Sequence, residues 1–236
     1  MKSWWLNVET TYLAPTLLVQ SDNPEIIRCA KRLSSSSIEQ TVKNIYLFVR
    51  DEIKWTIDRI KPAIEVLRSR KGACFNKASL QIALLRALDI PARYRLEEVS
   101  TKALKPYLPQ EVYDLLPKTV LHTLTEVYLE GRWLGCDATI DSQLSHPLWK
   151  RDWEPGMDMS CIPSIFKVKV LGSYHDLPRS LISESMNAVL LREALILRIE
   201  EHLDNLRALP LDEKLRHFEQ YWGSDVVSYL AKRGIR

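Results

Sequence analysis

Cysteine is scarce in this chain. Cys29, Cys74, Cys136 and Cys161 are the four in 236 residues, and no two form a CxxC pair. A disulfide framework or a structural zinc site needs clustered thiols, so neither is expected to hold the fold. His122, His146, His175, His202 and His217 form no HExxH pattern and no Cys/His cluster. No metal and no cofactor are assigned on that basis. An excess of one charge is missing too: 33 basic and 30 acidic residues leave +3, with no run of like charges. That balance makes no case for nucleic acid. No apolar run approaches the roughly 20 residues of a membrane span. The opening MKSWWLNVET lacks the apolar stretch and cleavage site of a signal peptide. The expectation is a cytoplasmic, reduced protein with neither nucleic acid nor membrane as partner, in which a free thiol can do chemistry. What is present is an ordinary globular composition, 46% hydrophobic and 27% charged, long enough to bury a large core unaided.

Hydrophobic spacing gives the layout. Ser37 with Gln40 three positions on reads as a capping box, and Ile38, Val42, Ile45, Tyr46 and Val49 then recur at helical spacing over residues 38–52. Ala63 to Ser69 reads as a short helix ending at Arg70-Lys71-Gly72. From Ala78 to Leu88 the chain is apolar nearly all round, as a buried helix is, and Pro91 ends it. Strands are expected at Ala92–Val99, Thr123–Glu130 and Trp133–Ala138, the last two joined by a Gly131-Arg132 turn. One more is expected at Phe166–Leu171. Helices return over Ser183–Leu209, with a stripe of Leu195, Ile199, Leu203 and Leu206, then over Leu211–Trp222 and Ser224–Lys232. Helices, a buried helix, strands, then helices describe an α+β protein.

Cys74 stands two residues after Gly72, at the mouth of the buried helix. Helix-start amides and their partial positive charge favour a thiolate there. Taken alone, Cys74 is as readily a small buried hydrophobe. His122 opens the first hairpin strand and Asp137 closes the second, 15 positions on. Residues near the outer ends of a hairpin become neighbours. A thiol nucleophile needs this pair: a base within reach and a carboxylate that fixes the imidazole tautomer.

The stretch LRSRKGACFNKASLQIALLRALDIPARYR resembles the cysteine motif of transglutaminase-like proteins: glycine, any residue, cysteine, then an apolar helix ending in Gly-Ile-Pro-Ala-Arg. Asp89 takes the place of the glycine in that signature, before Ile90-Pro91-Ala92-Arg93. His122 with Glu126-Val127-Tyr128 and Gly131-Arg132-Trp133 resembles the histidine motif, with Leu124 where an aromatic is usual. Asp137-Ala138-Thr139 resembles the Asp-Pro-Thr motif, with alanine for proline. Upstream, FVRDEIKW resembles the helix that ends in Ile-x-Tyr, with Trp55 at the aromatic position. The resemblance covers about residues 12–145 and extends toward 180. It implies a papain-like fold, with a nucleophile on a buried helix facing an antiparallel sheet that supplies histidine and aspartate. It also implies catalytic roles for Cys74, His122 and Asp137. The domain layout is then 1–180 for the catalytic domain, with its core at about 36–145, and 181–236 for a helical extension packed on it.

Asp141, just past the strand, is the alternative third member. Trp55 is either a core ring or an indole N–H donor near the oxyanion; the backbone N–H of Cys74 is the other donor. Asn76 reads as site-lining and Lys77 as solvated. Cys29, Cys136 and Cys161 read as small packed hydrophobes. The chemistry expected is acyl transfer through a thioester on Cys74. Hydrolysis of a peptide or amide bond comes first. The alternatives are amide formation by a transamidase or amide synthase, arylamine N-acetyltransferase-like chemistry, against which Ile-Pro-Ala-Arg argues, and a non-enzymatic binding module. The partner is a peptide or a small acyl or amine substrate, free or on a carrier protein. The oligomeric state stays open.

Overall fold

The structure, a computed structural model, describes residues 10–145, 152–178, 180–181, 193–224 and 226–228. One helix organises it. α4, at Cys74–Arg86, is buried at every position from Asn76 to Arg86. α1 (Pro24–Leu33), α2 (Ile38–Glu52) and α3 (Ala63–Ser69) pack on it, and it lies against the sheet. Leu80, Ile82, Ala83, Leu84 and Leu85 are sealed from solvent. Each large one contributes about 1.5–3 kcal/mol by burial.

Local chemistry sets the ends. Ser37 accepts a hydrogen bond from the Gln40 amide at 3.2 Å. The Gln40 carboxamide donates to Asn44 instead of reaching back, so half of the capping box forms. At the far end of α4, the Ile90 amide donates to the Leu85 carbonyl and Asp89 sits at φ 56°. This is a left-handed helix stop of the kind glycine usually makes. Aspartate tolerates that conformation better than most residues, which accounts for Asp89 in the glycine place of the signature.

The sheet runs β5-β4-β3-β6, with β3 at Ala92–Ser100, β4 at Thr119–Leu129, β5 at Arg132–Gly135 and β6 at Lys167–Tyr174. All its pairings are antiparallel. Leu129 pairs with Arg132, so the turn is Glu130-Gly131, one position earlier than expected. Both have positive φ, 50° and 81°, which the tight right-twisted hairpin turn demands. β4 begins at Thr119, so His122 lies inside the strand opposite Glu97, not at its opening. β5 ends at Gly135, so Asp137 lies beyond the strand, not at its close. That stretch is pinned instead by a bridge between Cys136 and Met159.

A second, two-residue pair matters more than its size. β1 (Lys54–Trp55) and β2 (Lys71–Gly72) run parallel, with Trp55 opposite Gly72. This brings Trp55 to the mouth of α4. The helices Glu193–Ala208 and Leu211–Trp222 bury Ile199, Leu203, Leu206, Phe218 and Trp222 in a second apolar cluster that contains Trp55 and Tyr107. The expected helix over 183–192, and most of the one over 224–232, fall outside the described residues. Among the described residues no helix is long and apolar enough to cross a membrane.

Candidate active site

Cys74 is the first residue of α4, and Ala73 before it supplies no side-chain cap. The first-turn amides of a helix have no partner within the helix, so they face the mouth where the thiol sits. Gly72 makes this approach possible. A Cβ there would lie 2.6 Å from Cβ of Asn76. Close contact, and not a left-handed turn, requires glycine at this position. Cys74 is half-buried, whereas Cys29, Cys136 and Cys161 are buried.

His122 and Asp137 meet in the interior. Nε2 of His122 lies 2.8 Å from Oδ2 of Asp137. The same carboxylate accepts from the amide of Cys161 at 2.8 Å and, through Oδ1, from the amide of Thr139 at 3.0 Å. Burial alone would raise the Asp137 pKa. The charge and hydrogen bond of His122, with the two amides, outweigh it and hold the carboxyl well below its usual range. Burial would likewise depress His122, but the charge and bond of Asp137 prevail and hold the imidazole well above its ordinary value. Nδ1 of His122 makes no hydrogen bond among the described residues. It is the ring nitrogen left for Cys74.

Cys74 and His122 line one cavity of about 190 Å³, together with Trp55, Thr139 and Cys161. The indole N–H of Trp55 has no hydrogen-bond partner among the described residues, yet it is not among the sealed, unpartnered polar atoms. It is thus a donor open to a bound group.

Three expectations need correction. The Asn76 carboxamide does not line the cavity. It accepts from the Lys61 amide at 3.0 Å and donates to the Arg59 carbonyl at 2.9 Å, holding the loop before α3. Asp141 is not a partner of His122. It accepts from the Trp55 amide at 3.1 Å and pairs with Arg207 at 2.9 Å. Lys77 is not solvated but 1% exposed. It donates to the carbonyls of Arg50 and Ile53 at 3.0 and 2.5 Å, closing the end of α2. Burial outweighs the opposing charges of Asp141 and Asp51 and draws its pKa down to about 7.

Two contributors have no signal in the sequence. Cys161 reads as a packing residue, yet its amide secures Asp137 and its Sγ lies 3.9 Å from Nε2 of His122. Burial pushes that thiol up to about 12, so it stays protonated beside the pair. Arg207 donates to the Trp55 carbonyl at 2.6 Å. His122, Asp137 and Cys161 offer donor atoms within 4.8 Å of one another, which a metal ion could use. An ion there would have to break the His122–Asp137 bond.

A helix-borne cysteine sharing a cavity with a strand-borne histidine, itself bonded to an aspartate, is the arrangement of cysteine-based catalysis. Residues 28–138 match the model of the transglutaminase-like superfamily, so this part of the chain is a transglutaminase-like core. It contains Cys74, His122 and Asp137. No curated protein matches the chain. Among solved structures the chain is similar to a candidate cysteine protease from Cytophaga hutchinsonii. That likeness has 22% identity over 70% of this chain and 46% of the other, with a TM-score of 0.49. It is also similar to a TGase, at 14% identity over 76% of this chain and 48% of the other, with a TM-score of 0.35. The chain spans about half the length of each of these two structures.

Proposed function

We propose that this protein hydrolyses a peptide or amide bond through an acyl-enzyme thioester on Cys74. The observation that carries the reading is the single cavity shared by Cys74 and a His122 whose Nε2 is held by Asp137. In the proposed reaction the Cys74 thiolate attacks the carbonyl carbon. The oxyanion is met by the Cys74 amide at the helix start and by the Trp55 indole N–H. His122, charged and steadied by Asp137, gives its proton from Nδ1 to the leaving amine, and the C–N bond breaks. Neutral His122 then takes a proton from water, whose oxygen attacks the thioester, and the thiolate leaves. Transfer to an amine acceptor is the second reading. The apolar wall of the cavity favours it, because such a wall excludes water from the thioester.

Alkylation tests the nucleophile. Iodoacetamide near neutral pH is expected to label Cys74 first, and Cys74→Ala is expected to lower turnover by at least about 10³-fold with the fold intact. First labelling at Cys29, Cys136 or Cys161 would reject the assignment. Partition of a preformed acyl-enzyme between water and added amines separates the two readings.

A further inference from the structure

The wall of the cavity beyond the reacting atoms is almost wholly apolar, with Ile57, Leu104, Leu116, Val120, Leu121 and Ile140 on it. Asp58, the one acidic side chain among the described lining residues, is engaged by Lys61 at 2.5 Å. His122 is engaged by Asp137. Among the described residues, no charged group on this wall is left to answer a charge on the substrate. A carboxylate or ammonium carried into the cavity would lose its water and find no counter-ion, which is strongly unfavourable. An apolar group would exchange water for hydrocarbon contacts.

Size narrows the class further. A dry apolar cavity of about 150 Å³ is known to hold benzene. The cavity beside Cys74 measures about 190 Å³, so a benzene-sized group with a methylene or two, or a chain of about six carbons, would fill it. The floor is buried, at Trp55, Val99, Ile140 and Ile162, while Ile57, Leu104, Leu116 and Leu121 at the rim are half-exposed. A group entering past the rim would therefore meet a closed end.

We infer that the donor substrate carries an uncharged apolar acyl group, aliphatic of about six carbons or phenyl-sized, which this cavity holds next to Cys74. The inference rests on Cys74 being the nucleophile. The bound acyl carbon becomes the thioester carbon, and the leaving group departs with the proton of His122, so only the acyl half is selected here.

A series of p-nitrophenyl esters tests it: acetyl, butyryl, hexanoyl, dodecanoyl, phenylacetyl and glutaryl, assayed on the full-length protein. Release of nitrophenolate gives the acylation rate, and intact mass with peptide mapping gives the acyl adduct. The acylation kcat/KM is expected to rise about fourfold per methylene from acetyl to hexanoyl, and to stop rising or fall at dodecanoyl. Glutaryl should be slower than hexanoyl by on the order of 100-fold. Leu121→Trp, which fills the cavity, should lower the hexanoyl-to-acetyl ratio at least about tenfold. A flat or charge-preferring series with the adduct on Cys74 would overturn the acyl selectivity and leave the nucleophile standing. Absence of any Cys74 adduct, acetyl included, would overturn both. A wild-type selectivity that survives Leu121→Trp would also reject this cavity as the acyl site.

Discussion

Arg207 donates to the carbonyl of Trp55 at 2.6 Å across 152 positions of sequence. It also binds Asp141, whose Oδ2 accepts from the amide of the same tryptophan. One guanidinium thus holds both polar ends of the Trp55 backbone, one directly and one through a carboxylate. The side chains of Arg207 and Asp141 are 7% and 4% exposed, so solvent does little to screen them.

Removing Arg207 should be costly for that reason. Arg207→Ala leaves a buried carboxylate unpaired and is expected to lower stability by about 3–5 kcal/mol. Urea denaturation measures this. Because the two groups form one pair, Arg207→Ala with Asp141→Ala together should lose clearly less than the sum of the single losses. Simple additivity would show that the pair is not coupled.

The two aspartates should separate by function. Asp137→Asn presents the wrong imidazole tautomer and is expected to reduce kcat by roughly 10³–10⁴-fold while near-ultraviolet circular dichroism stays native. Asp141→Asn should act mainly on melting temperature. If kcat falls more in Asp141→Asn than in Asp137→Asn, the partner of His122 has been misassigned.

Stability should carry the mark of His122 with a definite sign. Its folded pKa is raised, so its contribution is whole below the unfolded value of about 6.5 and is lost as pH rises through the folded value. Asp137 acts at the other end, with a depressed pKa whose contribution is present above about 3.8 and lost as pH falls. Lys77 opposes His122 at high pH, because its folded pKa of about 7 lies below the unfolded 10.5 and stability grows as that proton leaves. The His122 part is isolated by subtraction. Urea midpoints of wild type minus those of His122→Gln are expected to decline as pH rises above about 6.5. A flat difference would mean that the charged imidazole is not stabilised by Asp137 in the folded protein.

Gly72→Ala should strain the mouth of α4. Its new Cβ would fall 2.6 Å from Cβ of Asn76, and Asn76 cannot easily move because both ends of its carboxamide are bonded. A loss of about 1–3 kcal/mol is expected, read as a lower melting temperature. A variant as stable as wild type would show that the loop before α3 yields.

Much of this was legible from spacing alone. Apolar residues all round α4 announced its burial, and Ser37 marked the start of α2, because both signals are local. The turn was misplaced by one residue because glutamate rarely takes positive φ, and only pairing across the strands places it there. Lys77 read as solvent-facing because lysine usually is. Its Nζ instead satisfies carbonyls at the end of another helix, and no pattern along the chain encodes that. Cys161 and Arg207 were silent for the same reason. What they contribute depends on where the chain returns, and that is decided by packing after the motifs have been read.

The support around Asp137 also bears on when the protein becomes competent during its own synthesis. The matched core ends at residue 138, but the amides that hold the Asp137 carboxylate belong to Thr139 and Cys161, and Trp55 is anchored from Arg207. A ribosome that has released residues 28–138 has delivered Cys74, His122 and Asp137 without the groups that fix them. The three residues are therefore fixed in place only once the segments that carry Cys161 and Arg207 have followed them out.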